Sequence, residues 1–65
     1  MSDDYTKKID NLIDDLDSDI ADLEYFYKRS SVENFDDKDF ENGFKLAQQI
    51  EDSAKKLSNQ FKKYI

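Results

Sequence analysis

Sixty-five residues allow one small domain, here spanning positions 1–65. With no cysteine and no histidine, neither a disulfide nor a cysteine–histidine zinc site can support it, so extra stability has to come from self-association or a partner. Sixteen acidic against ten basic side chains leave a net charge of −6, which repels nucleic acid and anionic membrane surfaces and argues against direct binding to either.

Ser2, followed by Asp3 and Asp4, has the form of a helix N-terminus: a capping hydroxyl, then carboxylates where the helix dipole favours them. Tyr5, Ile9, Leu12, Ile13, Leu16, Ile20, Leu23 and Tyr27 fall in one stripe on a helical wheel, and Lys28 and Arg29 bring basic charge to the last turn. The expectation is a first helix of about 26 residues, ~39 Å long. Ser30 and Ser31 stop it, and Ser30 with Glu33 matches a capping box for a short helical turn.

Asp36 or Asp37 is placed to cap a second long helix ending near Tyr64, with acids in its first turns and Lys62 and Lys63 in its last. Heptads counted from Phe40 give a positions Phe40, Ala47, Ala54 and Phe61 and d positions Gly43, Ile50, Leu57 and Tyr64. Asn42-Gly43 is a turn signal that leaves two readings, a continuous helix or a short third helix ending at Gly43. Phe40 and Phe44 stay in phase across the glycine, which favours continuity.

A short connection makes the two helices antiparallel, with facing positions summing to about 70: Tyr27 opposite Gly43, Leu23 opposite Ala47, Leu16 opposite Ala54. The fold expected is all-α, an antiparallel helical hairpin. The second helix adds Phe44, Leu46 and Ile65 to an apolar arc wider than one partner helix covers, so the hairpin is expected to dimerise into a four-helix bundle. Val32, Phe35 and Phe26 are expected to close the turn end as a small cluster.

Acid-first i,i+4 pairs recur: Asp3–Lys7, Asp4–Lys8, Glu24–Lys28, Glu41–Lys45, Glu51–Lys55 and Asp52–Lys56. Between residues 10 and 22 that habit inverts, and six aspartates occur without a base. On the wheel Asp10, Asp14 and Asp17 flank one side of the apolar stripe, and Asp15, Asp19 and Asp22 the other. Aspartate is a poor helix former, so the window costs helix stability and is the first place to look for function. A merely solvated face is the plain reading. The sharper one is a surface that binds a partner protein, with exposed Tyr25 and Phe26 as aromatic anchors.

Carboxylates three and four residues apart rise ~4.5–6 Å along a helix, comparable to phosphate spacing. Such a face could occupy the site of a basic nucleic-acid-binding protein. Small acidic phage- and plasmid-encoded inhibitors of restriction or CRISPR nucleases use this device, an analogy of charge and size. Asp37-x-Asp39-x-Glu41 lacks the glycine and the distal glutamate of a calcium loop, so no metal is expected. Nor is a cofactor or catalysis, since no nucleophile stands near a base. The whole reads as a cytoplasmic, non-enzymatic interaction module: a regulator, adaptor or inhibitor, with a self-assembling scaffold subunit as the rival.

Overall fold

A computed structural model describes residues 3–30 and 32–65. Helix α1 (Asp3–Arg29) and helix α2 (Asp37–Lys62) lie antiparallel, joined by a 3₁₀ turn at Val32–Asn34. The chain is a helical hairpin 53 Å long and only 16 by 12 Å across. The Ser2 cap and Ser31 lie outside the described residues, as does the side chain of Val32.

Local sequence explains the ends. The last turn of α1 carries Lys28 and Arg29, and the Ser30 amide still donates to the Phe26 carbonyl at 3.0 Å. The capping box forms at the start of α2 rather than at Ser30. Asp36 accepts from the Asp39 amide at 2.9 Å, and Asp39 returns the bond from the Asp36 amide at 3.2 Å. Of the i,i+4 pairs, Glu41–Lys45 closes at 3.6 Å. Phe35 stacks on Phe26 and on Phe40 at ring distances of 5.8 and 5.3 Å, closing the turn end as a three-ring cluster.

The helices are rotated relative to the sequence expectation. Ile9, Leu12, Leu16, Asp19, Leu23 and Phe26, with Ser30 just past the helix end, are the half-covered row of the first arm. Opposite run Asp39, Gly43, Leu46, Ile50, Ser53, Leu57 and the buried Gln60. Both rows keep the alternating three- and four-residue step of a packed seam. Gly43, Ile50 and Leu57 sit where expected, but Phe40, Ala47, Ala54 and Phe61 are exposed and Leu46, assigned to the outer arc, is inside.

The reason is that 43/50/57 can pair with a row three residues back or three ahead. The rotation found brings Asp19 and Ser53 together, where the Ser53 hydroxyl donates to the Asp19 carboxylate. It also exchanges Ala47 for the larger Leu46 in the seam. The register stays close to the expected sum. Phe26, rather than Tyr27, covers Gly43, and Tyr5 meets Tyr64 at 5.2 Å.

α2 runs unbroken through Asn42-Gly43. A β-carbon on Gly43 would stand 3.5 Å from the Phe26 ring, ordinary van der Waals contact, and the glycine has no positive φ. Gly43→Ala is therefore expected to stabilise the hairpin by about 1 kcal/mol through helix propensity. Thermal unfolding followed by circular dichroism checks this; a lowered midpoint would mean that the ring cannot accept the methyl group.

Candidate functional site

The rotation decides what each side of the hairpin displays. In an antiparallel pair, the residues just outside the seam on each helix meet along the two broad sides of the slab. One side gathers Arg29 and Ser30 of the first arm with Asp39 and Asn42 of the second around a hollow of about 410 Å³. Continuing down that side, the sequence places Lys8, Asp15 and Asp22 opposite Gln49, Lys56 and Lys63, so this broad side is polar and carries both signs. Tyr25 stands at its edge, 62% exposed, with the Arg29 guanidinium 5.3 Å from its ring centre and donating to its hydroxyl at 3.5 Å.

The other broad side is apolar. Ile13, Ile20 and Tyr27 recur at seven-residue intervals on α1, and Phe40, Ala47, Ala54 and Phe61 do the same on α2. All are exposed; Phe40 is 64% and Tyr27 57% open to solvent. Facing positions again have a nearly constant sum: Tyr27 with Phe40, Ile20 with Ala47, Ile13 with Ala54. At the turn end a second hollow of about 460 Å³ opens between Leu23, Phe26, Tyr27, Phe35 and Gly43, with Glu24 and Lys28 also on its wall. No apolar side chain of the described residues is fully buried.

The six aspartates are split among these surfaces. Asp10 and Asp17 line the outer edge of the apolar side, Asp14 the outer ridge of α1, and Asp15 and Asp22 the polar side. Asp19 does not belong to an exposed row: it is half-buried in the seam, bound to Ser53. Phe26 is half-buried too, wedged between Gly43 and Phe35, so it is a packing residue and not a free anchor. Of the two aromatics, Tyr25 alone projects from the fold.

Asp39, the centre of the metal pattern considered from sequence, is engaged in the capping box. Among the described residues no three carboxylates converge to hold a metal ion, and no helix is long and apolar enough to cross a membrane. The feature missed from sequence is the apolar side. Its signal is the seven-residue spacing of Ile13, Ile20 and Tyr27, residues that also fit the stripe expected for the seam. Comparison with known proteins finds no match to any family model, curated protein or solved structure.

Proposed function

We propose that this chain is a non-enzymatic protein-interaction module, a small cytoplasmic regulator, adaptor or inhibitor that holds a partner protein against its acidic surface. The observation that carries this reading is the exposure of Asp10, Asp14, Asp15, Asp17 and Asp22 on rigid helix, in a stretch of α1 that supplies no base of its own. Carboxylates set at a cost in helix propensity attract a basic partner and speed its association. Because the aspartates occupy three sides rather than one track, a mixed acidic and apolar docking surface fits them better than a phosphate-like row.

Capture from an extract of the native host at ~50 mM salt, followed by elution in rising salt, tests the reading, because a partner held by charge is released steeply. The comparison is a variant with all five exposed aspartates changed to asparagine. It should keep its helicity and lose the captured protein. Identical capture by both forms would mean that the acidic surface serves only solubility.

A second reading has its own support. The apolar broad side runs from Phe40 to Phe61 on α2, ~32 Å at ~1.5 Å per residue, and leaves Ile13, Ile20, Tyr27, Phe40 and Phe61 exposed. A second copy laid on it would complete a four-helix bundle, giving a homodimer or a self-assembling scaffold subunit.

A further inference from the structure

The apolar side has an acidic bank on α1 and a mixed one on α2. Moving outward from Ile13, Ile20 and Tyr27, the next exposed positions on α1 are Asp10, Asp17 and Glu24; outward from Phe40, Ala47 and Ala54 on α2 they are Asp37, Phe44, Glu51 and Ser58. None of the ten basic residues falls on this side by helical position: Lys8, Arg29, Lys38, Lys45, Lys56 and Lys63 belong to the polar side, and the remaining four to the outer ridges. Lys28, on such a ridge, reaches only the wall of the hollow at the turn end. The lane is also shaped. Ala47 and Ala54 make its middle shallow on α2, while Tyr27 and Phe40 rise at one end and Phe61 at the other.

We propose that this lane is the seat of a single amphipathic helix from a partner protein, one whose apolar stripe is flanked by Lys or Arg. The inference rests on the reading of the chain as a protein-interaction module and names the chemistry of its partner. A helix laid between α1 and α2 makes a three-helix bundle, burying the exposed aromatics and isoleucines that the hairpin leaves open. One basic flank then meets Asp10, Asp17 and Glu24 on α1, and the other Asp37 and Glu51 on α2. A second copy fits worse. With α1 laid on α1, its Asp10, Asp17 and Glu24 would lie against these, a like-charge juxtaposition that costs affinity; with α2 laid on α1, Asp37 and Glu51 would.

The test uses the full chain and three designed helical peptides of ~20 residues that share one leucine stripe and differ only in flanking it with Lys, Gln or Glu. Titration by fluorescence anisotropy should show the Lys-flanked peptide binding at least ~10-fold tighter than the Gln-flanked one, with no binding of the Glu-flanked one, and the advantage shrinking in high salt. The variant Asp10→Asn/Asp17→Asn/Glu24→Gln/Glu51→Gln should erase the preference for Lys. Ala47→Glu, exposed and so compatible with the fold, should abolish binding of the Lys- and Gln-flanked peptides with helicity unchanged. Equal binding of the Lys- and Glu-flanked peptides, or binding that ignores Ala47→Glu, would overturn the proposal. So would a hairpin that sediments as a dimer and becomes monomeric with Ala47→Glu, which would make a second copy the occupant. If the peptides fail while host capture through the exposed aspartates persists, the lane assignment falls and the interaction-module reading stands.

Discussion

Leu46→Lys is expected to unfold the hairpin, whereas Phe44→Lys, two residues away, is expected to leave it folded. Both side chains belong to the apolar arc of α2, and hydropathy does not separate them. The structure does. Leu46 is half-buried in the seam at the level of Leu23, and Phe44 is 67% exposed. Among the described residues the seam covers the apolar surface along the length of the hairpin, and no apolar side chain within it is fully shielded from water. Each seam leucine therefore carries a large share of a small total. Removing one costs ~2–3 kcal/mol in lost burial, and a Lys there must also carry its charge back to solvent. A domain of this size has only ~3–5 kcal/mol to lose. Circular dichroism melts of the two variants decide the matter. A Leu46→Lys protein that melts within a few degrees of the parent would place the seam elsewhere, on the row containing Ala47 and Ala54.

The two helices, their ends and their register were legible because the signals for them are local. Lys28 and Arg29 in the last turn, the Asp36 cap and a three- to four-residue apolar step are each written in a few consecutive residues. Antiparallel pairing about the turn follows from its length, and Phe26 over Gly43 and Tyr5 on Tyr64 keep the expected sum. The rotation of each helix about its axis was not legible. Each arc holds more apolar residues than one seam can take, so Ile20 and Tyr27 competed with positions 19 and 26, and Ala47 with Leu46. The rotation found pairs Asp19 with Ser53 across the seam. Nothing in the composition of α1 marks Asp19 as different from Asp15 or Asp22. The acidic rows shift with the rotation: Asp19 enters the seam, and the rows that flank it turn by about one residue.

Asp19→Leu combined with Ser53→Ala is expected to raise stability by about 2 kcal/mol, lifting the thermal midpoint by ~10 °C. The native pair satisfies itself, the Ser53 hydroxyl donating to the carboxylate, but a half-buried polar pair gains little over an apolar one of similar volume. Ser53→Ala by itself should instead cost ~1–2 kcal/mol, because the carboxylate is left without its donor. A double variant less stable than the parent would show that the seam has no room for the leucine. The native pair gives up that stability for position. With Asp19 and Ser53 held against each other, the next residue on each helix, Ile20 and Ala54, must face outward into the apolar lane. Once the pair is gone, no directional contact opposes a turn of the helices that draws Ile20 and Tyr27 into the seam. The double variant should therefore be more stable and worse at seating a basic helix. Loss of Lys-flanked peptide binding together with a raised midpoint would identify the Asp19–Ser53 bond as what keeps the lane open.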